Sequence, residues 1–238
     1  MKTIHLIALA LFITTWNNSP AQDVKEQVIE GPNKVTVKVR MEGPYTADTP
    51  LQVVCYFKYT TEGIKRMSGA PVELDKHLGG IIGSLRERGE FTGDELETIL
   101  IIPPEGAIKA KALLLIGLGD EATLSLEKME RVGKVALREA SKLGVKKVAF
   151  APLIRDQGNS QFGTGDIAAA VLRGVLLAYD TEQRLQQQQI GKAFTLEEWS
   201  EEAGPAYFDE TIAALQKGVK QVESITAARL KTPYAGKK

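Results

Sequence analysis

Lys111-Ala-Leu-Leu-Leu-Ile-Gly-Leu-Gly-Asp120 is the stretch that decides the fold. Its residues 112–116 are all apolar, which is typical of a strand covered on both faces, and we expect Gly117 and Gly119 to adopt backbone angles that a side chain would forbid. From Ser125 onward apolar residues return every three or four positions, which predicts a helix. Lys146 to Leu153 follows as a second strand. The succession predicts an α/β fold with parallel strands.

Further strands and helices are expected on both sides of this unit. Helical patterns cover Val72 to Arg88 and Tyr207 to Leu230, and residues 22–33 form a polar lead-in. The strand-like runs 34–40 and 53–59 are expected to pair near one another, and the run 193–199 is expected at a sheet edge. The element order predicts three α/β/α layers with a mixed, mostly parallel sheet. The strand-like runs are 34–40, 53–59, 97–102, 109–116 and 193–199.

Composition excludes several classes of function. Thirty basic residues balance thirty acidic ones, so no net field favours nucleic acid, an anionic membrane or a cationic substrate. We therefore expect no nucleic-acid partner. Cys55 is the only cysteine, which excludes an internal disulfide and a multi-cysteine zinc site. Its position in a strand-like run indicates a buried apolar residue rather than a reactive thiol.

The first 21 residues have the pattern of an export signal. Lys2 supplies a positive start, residues 4–13 form an apolar core too short to span a bilayer as a stable helix, and Ser19-Pro-Ala21 is a small-residue cleavage site. Cleavage after Ala21 would place the mature chain in the periplasm or outside the cell, with no membrane contact left. A retained membrane anchor is the alternative.

The ordered set of motifs resembles the N-terminal domain of the leucyl aminopeptidases, the two-metal cytosol aminopeptidase family. Besides Lys111–Asp120, the helix containing Leu172-Arg-Gly-Val-Leu-Leu-Ala-Tyr-Asp180 carries this resemblance. Leu74-Asp-Lys-His-Leu-Gly-Gly80 and Phe91-Thr-Gly-Asp-Glu-Leu-Glu-Thr98 look like the family's first helix and the turn after it. Ile225-Thr-Ala-Ala-Arg-Leu230, followed by Pro233, looks like its interdomain helix.

The resemblance implies a domain organisation. Residues 22–200 would form a macro-domain-like α/β domain, 201–230 a helix packed on that domain or at an interface, and 231–238 a disordered tail. In the family the metal-binding catalytic domain begins just beyond the interdomain helix, so we expect this chain to lack it. The family's metal motifs have no counterpart here, and no catalytic residue, metal ligand or cofactor is carried over.

His77 is the one histidine of the predicted mature chain. It follows Asp75 and Lys76 in a predicted helix, where a surface or capping role is favoured over metal ligation. A Ser-His-Asp arrangement would have to use this same residue, and no Gly-x-Ser-x-Gly elbow accompanies it. Hydrolase chemistry of that kind is therefore not expected.

Two loops are candidate ligand sites. The Gly117-Leu-Gly-Asp120 loop lacks the third glycine of a dinucleotide fingerprint and the Gly-Lys-Thr ending of a phosphate loop, which favours a structural turn. The loop 157–166 precedes a helix whose free N–H groups could receive an anion, although Thr164 or Asp166 as N-cap is the favoured interpretation. The candidate ligand-binding residues are Gly117, Gly119, Asp120, Gly158, Asn159, Ser160, Gly163, Thr164 and Gly165.

Three hypotheses for the function follow. The first is an exported, stand-alone, non-catalytic module for binding or assembly, with the Tyr207–Leu230 helix as the surface for a second copy or another protein. The second is a macro-like protein that binds a nucleotide or an ADP-ribose type of ligand, because macro domains bind ADP-ribose at loops of this general placement. The third is a non-catalytic subunit or partner of an aminopeptidase whose catalytic half is a separate polypeptide.

Overall fold

The computed structural model of the protein describes residues 24–234. The predicted export signal, 1–21, lies outside the described residues. Within them the strands are Glu26–Glu30 (β1), Thr36–Arg40 (β2), Leu51–Tyr56 (β3), Thr98–Ile101 (β4), Leu113–Gly117 (β5), Lys147–Ala151 (β6) and Glu198–Glu202 (β7). The α-helices are Thr61–Arg66 (α1), Ala70–His77 (α2), Ile81–Glu87 (α3), Leu126–Leu143 (α4), Thr164–Gln187 (α5) and Phe208–Ala227 (α6).

The strands form one sheet in the order β1-β2-β7-β6-β3-β5-β4. The strands β2, β7, β6, β3 and β5 are parallel to their neighbours, whereas β1 and β4 pair antiparallel at the two edges. The predicted mixed, mostly parallel sheet is therefore confirmed. Because parallel strands point the same way, the loops that follow these five strands all leave from one edge of the sheet, which we call the carboxyl edge.

Helices cover the sheet on both faces. Successive strand residues point to opposite faces, so Val53 and Cys55 of β3 pack with Trp199 against α4, α5 and α6. Val54, between them in sequence, points the other way and packs with Leu74 of α2 and with α3. The three α/β/α layers predicted from the element order are present.

The helix α4 begins where the sequence predicts, and each of its ends has a local signal. The Ser125 hydroxyl accepts a hydrogen bond from the backbone N–H of Lys128 at 3.1 Å, which is the normal role of an N-cap serine. Gly144 ends the helix in the left-handed conformation, with φ of 72°. Both end residues are thus local signals that a sequence displays directly.

The pairing of the strands differs from the sequence expectation in three places. The predicted neighbourhood of β2 and β3 is wrong, since β2 lies between β1 and β7 while β3 lies between β6 and β5. The predicted edge strand at 193–199 overlaps β7 only at Glu198 and Trp199, and β7 is interior. The lead-in 22–33 contains β1, whose pattern was missed because Ile29 is its one buried residue. Strand pairing joins residues far apart in sequence, so local alternation does not reveal it.

The predicted helix from Val72 to Arg88 is two helices, α2 and α3. Gly79 and Gly80 separate them with φ of 69° and 83°. The Asp75 carboxylate accepts hydrogen bonds from the backbone N–H groups of Ile82 and Gly83, and so caps the second helix from within the first. The apolar spacing continues across the break, which is why the pattern suggested one helix.

The C-terminal helix α6 packs on α5. Its Leu215, Val219 and Val222 are buried within the core that covers one face of the sheet. The predicted domain boundary at 200 falls inside β7, so residues on both sides of it belong to one sheet. Of the predicted tail 231–238 the structure describes 231–234, where the Tyr234 backbone N–H donates to the Gln188 side chain at 2.9 Å.

Candidate functional site

The two predicted ligand loops meet at the carboxyl edge. One follows β5 and the other follows β6, and β3 lies between these strands. The Asn159 side chain, which is buried, donates from Nδ2 to the Glu121 carboxylate at 3.2 Å and so joins the loops. Glu121 also accepts two hydrogen bonds from Arg66, which hold the pKa of its carboxyl below the usual range.

The Gly117-Leu-Gly119 turn has a structural role. Its three backbone N–H groups donate to the carbonyl oxygens of Glu97, Tyr56 and Gly93, each at 2.8 Å, which leaves none for a ligand. Gly119 has φ of 69°, as predicted. Gly117 does not have a positive φ; it is glycine for lack of space, because a Cβ there would lie 2.0 Å from the carbonyl oxygen of Asp94.

Asp120 and the start of the second loop also have local partners. The Asp120 carboxylate accepts from the Ala122 N–H at 2.9 Å and begins a short 3-10 turn at Glu121–Thr123. Gly158 adopts a left-handed conformation with φ of 88°, and a Cβ there would touch Arg66. Ser160, in contrast, is exposed. These loop residues line the carboxyl edge without forming a continuous row of free donors.

The N-terminus of α5 is occupied by a carboxylate from another helix. The predicted N-caps Thr164 and Asp166 are wrong, since Gly163 is the N-cap residue and no side chain of the loop caps the helix. The carboxylate of Glu210, on α6, accepts from the Gly165 N–H at 2.9 Å. A phosphate at this helix end would therefore meet like charge.

Arg86, on α3, is a residue that sequence reasoning missed. It is 4% exposed, and its Nη2 donates to the Phe57 carbonyl oxygen at 3.0 Å. Its Nε and Nη1 find no acceptor among residues 24–234, and no carboxylate of that range lies within ion-pair distance of it. The guanidinium instead packs on the ring faces of Tyr56 and Tyr59, at 4.8 and 5.7 Å. Burial lowers its pKa.

Two cavities adjoin this guanidinium. One, of about 160 Å³, lies between β3, α1 and the loop after β5, and its charged lining residues are Lys58, Arg66, Arg86, Asp120 and Glu121. The other, of about 240 Å³, lies between α1, α2 and α3, with Tyr56, Tyr59 and Arg86 in its wall. We call the first the Arg86 pocket. Lys58 is paired with Asp94 at 2.7 Å and Arg66 with Glu121, so Arg86 is the pocket's unpaired cation among the described residues.

The described part of the chain offers little for metal or nucleophilic chemistry. Residues 24–234 contain no group of three or more His, Cys, Asp or Glu side chains that could hold a metal ion. His77 ends α2, where its exposed ring stacks on Tyr45 at 4.9 Å. Cys55 is buried in the core, and burial raises the pKa of its thiol well above the usual range. None of the described helices has the length and apolar character to cross a bilayer.

Comparison with known proteins finds one family. The family model described as "Cytosol aminopeptidase family, N-terminal domain" matches residues 53–189, more than half of the chain. A "Probable cytosol aminopeptidase" of Geotalea uraniireducens is 32% identical over 120 residues, which are 50% of this chain and 24% of that protein. One of Roseiflexus castenholzii is 34% identical over 104 residues, 43% of this chain and 20% of that protein. The match thus spans a quarter or less of these relatives.

Solved structures show the same fold at low sequence identity. A mutant of tomato leucine aminopeptidase superposes with a TM-score of 0.58 at 16% identity, covering 82% of this chain and 36% of that one. The Oceanobacillus iheyensis macrodomain with ADP superposes with a TM-score of 0.56 at 11% identity, covering 86% of this chain and all of that one, 100%. The macro-like architecture expected from the sequence is confirmed by these neighbours.

Proposed function

This chain belongs to the cytosol aminopeptidase family by its N-terminal domain, and from that membership we propose that it is a binding module which takes a small anionic ligand in the Arg86 pocket. We propose further that it carries out no peptidase chemistry of its own. The peptidase activity in the names of its relatives belongs to proteins of which this chain matches about a third or less.

The unpaired guanidinium of Arg86 supports this proposal. An arginine stays charged at any physiological pH, and leaving such a charge buried without an anion costs several kcal/mol. The two tyrosine rings offset part of that cost, since a cation over an aromatic face gains about 0.5–2 kcal/mol. A carboxylate or phosphate would supply the missing acceptors and form charge-assisted hydrogen bonds. Glu97 and Asp75 act on Arg86 only from beyond ion-pair distance. A buried charge without an ion-pair partner beside a cavity is a feature of binding sites.

A nucleotide or ADP-ribose type of ligand is the first chemistry to examine. The Oceanobacillus iheyensis macrodomain, solved with ADP, shares the fold. The phosphates would be held differently from those in a glycine-rich loop, because the N–H groups of Gly117 and Gly119 are already used and Glu210 covers the start of α5. Side-chain cations, Arg86 foremost, would carry the recognition here.

Calorimetric titration of the chain with ADP-ribose, ADP and inorganic phosphate tests the proposal. We expect at least one of them to bind, and we expect Arg86→Lys, which keeps a charge but loses the guanidinium fork, to weaken that binding tenfold or more. The matched control is Arg131→Gln, since Arg131 is an exposed arginine paired with Glu95. Failure of all three anions to bind, or equal binding by the Arg86→Lys variant, would contradict the proposal.

Export is the second part of the proposal. The positive start at Lys2, the apolar core and the Ser19-Pro-Ala21 site support secretion to the periplasm or beyond. N-terminal sequencing of the chain recovered from a bacterial host should find Gln22 first. A product that begins at Met1 and stays in the cytoplasm would count against export.

A protein partner is a second candidate function, and exposed apolar residues favour it. Ile225 at the end of α6 is 42% exposed and Leu230 beyond it is 81% exposed. This end of the helix could meet a second copy of the chain or an aminopeptidase subunit. Light scattering of the purified chain, and of the chain mixed with a catalytic aminopeptidase domain from the same genome, should show an oligomer or a complex. If the chain stays monomeric and does not bind the catalytic domain, a function through a protein partner is excluded.

A further inference from the structure

Another cavity lies at the carboxyl edge, on the far side of β6 from the Arg86 pocket. Its volume is about 210 Å³, and it is enclosed by the ends of β2, β6 and β7 and by the first turn of α5. Much of its wall is apolar, including Pro44, Leu153, Ile167 and Ala203. We call it the Glu202 pocket. An engineered apolar cavity of about 150 Å³ binds benzene, so a cavity of this size suits a small organic ligand.

Glu202 is an unusual residue for the wall of an apolar cavity. It ends β7, which is an interior strand, and it is 7% exposed. Neither of its carboxylate oxygens has a hydrogen-bond donor in good geometry among the described residues. Buried Gln52 is its neutral neighbour and acts to lower the pKa of Glu202, yet an amide carries no charge that could balance a carboxylate. Buried carboxylates are otherwise paired or hydrogen-bonded, since isolation is costly.

Two arginines adjoin the pocket, and other groups already engage both. Arg155, in the pocket wall, donates to the Thr164 hydroxyl at 3.0 Å and to the Phe162 carbonyl oxygen at 3.3 Å, and it lies over the Tyr207 ring.

Arg40 is the second arginine. It stands directly opposite Glu202 in the register of β2 and β7. Its guanidinium contacts Glu26 at 3.3 Å and Glu42 at 2.7 Å. Glu42 also lines the pocket, so Glu26, Glu42 and Glu202 share this one arginine. Burial first, and then the charge of Glu42, raises the pKa of Glu202 well above its usual range. A cation bound beside Glu202 would favour its ionised form and lower that pKa again.

We propose that the Glu202 pocket binds a small organic cation, namely a protonated primary amine on a compact apolar body. The ammonium group donates N–H hydrogen bonds to the Glu202 carboxylate, whose two oxygens lack donors among residues 24–234, and lies against Glu42, which it shares with Arg40. The hydrocarbon part fills the apolar wall and is removed from water. This site is separate from the Arg86 pocket, and its occupation does not depend on an anion being bound there.

Three probes with one carbon skeleton separate charge from shape. We would titrate the chain, expressed from its full-length gene, with 3-methylbutylamine, 3-methylbutanol and 3-methylbutanoate, and follow binding by calorimetry and by melting temperature. The amine should bind and raise the melting temperature, and the alcohol and the carboxylate should bind at least tenfold more weakly. An alcohol that binds as well as the amine, or an amine that fails to bind, would overturn the proposal.

Two glutamate variants provide the matched comparison. Glu202→Gln keeps the shape but removes the charge, and it should weaken amine binding tenfold or more. Glu201→Gln removes an equally buried carboxylate, 1% exposed, that points to the opposite face of the same strand, and it should leave amine binding unchanged. Undiminished amine binding by Glu202→Gln, or equal losses in both variants, would overturn the assignment.

A further arm identifies the source of the amine. Leucinamide imitates the amino terminus of a peptide, whereas 3-methylbutylamine is a free amine with the same side-chain skeleton. Tighter binding of leucinamide points to peptide termini, and tighter binding of the simple amine points to free amines. N-acetyl-leucinamide, which has lost the charge, should not bind. If N-acetyl-leucinamide binds as tightly as leucinamide, the role given to the two carboxylates is refuted.

Discussion

At the scale of single residues, the chain is distinguished by charged side chains buried without an ion pair. Glu201 and Glu202 are adjacent in β7 and point to opposite faces of the sheet, so both enter a core. Glu201 accepts one hydrogen bond, from the Trp199 indole at 3.3 Å. Arg86, on α3, is a third buried charged residue without an ion pair among the described residues. Each of these groups lowers the stability of the fold when it is charged and has no partner.

The first residue-scale prediction concerns pH. Burial raises the pKa of Glu201 well above the usual range of a glutamate, so the folded state keeps a proton that the unfolded chain has lost. The stability that this proton contributes is fully present below the pKa of Glu201 in the unfolded chain. It is lost as the pH rises from that value through the pKa in the folded protein. Glu201→Gln should remove this loss. The variant should match the parent near pH 4 and exceed it by about 1–3 kcal/mol at pH 8.

Urea unfolding of both proteins across this pH range measures the difference in free energy. Glu223→Gln, at an exposed position on α6, is the control and should show no such growth with pH. A constant difference between the Glu201→Gln variant and the parent from pH 4 to 8 would mean that Glu201 ionises normally in the folded protein.

At the scale of elements, the close crossing of α4 and α5 depends on two glycines. A Cβ at Gly133 of α4 would lie 2.1 Å from the carbonyl oxygen of Val171, and one at Gly174 of α5 would lie 2.0 Å from that of Glu130. The two backbones are therefore in contact without side chains between them. The two glycines lower the helix propensity of α4 and α5, since each glycine in a helix interior is about 1 kcal/mol less favourable than alanine.

We predict that Gly174→Ala destabilises the protein by about 3 kcal/mol or more, because the helices must separate or the backbone must shift. Gly218→Ala is the matched control: Gly218 is also a buried glycine inside a helix, but its Cβ would meet ordinary contacts, the nearest at 3.6 Å. That variant should be neutral or gain up to about 1 kcal/mol. Thermal unfolding followed by circular dichroism compares them, and similar melting temperatures would contradict the crossing geometry.

At the scale of the whole molecule, α6 is part of the domain. Its Leu215, Val219 and Val222 belong to the core that α4 and α5 form on one face of the sheet. Its Glu210 caps α5, so the helix contributes polar as well as apolar contacts. The sequence left two alternatives for this helix, packing on its own domain or at an interface with another chain. In the structure most of its apolar residues pack on its own domain.

A chain that ends at Gly204 should therefore fail to fold cooperatively, because it exposes the apolar face of α5 and leaves the start of that helix uncapped. A chain that ends at Leu230 keeps α6 and should unfold in a single transition close to that of the full chain. Solubility, near-ultraviolet circular dichroism and melting curves distinguish the two. A soluble, cooperatively unfolding chain without α6 would show that this helix is an appendage.

The amino-acid sequence by itself determined the layers, the central strand-turn-helix-strand unit and the family, because these depend on local apolar periodicity and on motifs with fixed spacing. It determined the start of α4, since Ser125 caps through its own side chain. It also placed Cys55 in the core and gave Gly119 its positive φ. All of these rest on interactions within a few residues or on simple burial.

Only the tertiary structure decided the strand order, the interior place of β7 and the sites. The sequence predicts an edge strand at 193–199, yet β7 is Glu198–Glu202 and pairs with β2 on one side and β6 on the other. The free-energy cost of the Arg86 and Glu202 charges depends on their surroundings, since a charge is well solvated in water and costly when buried without a partner. Burial of that kind arises between elements distant in the chain, where sequence periodicity carries no information.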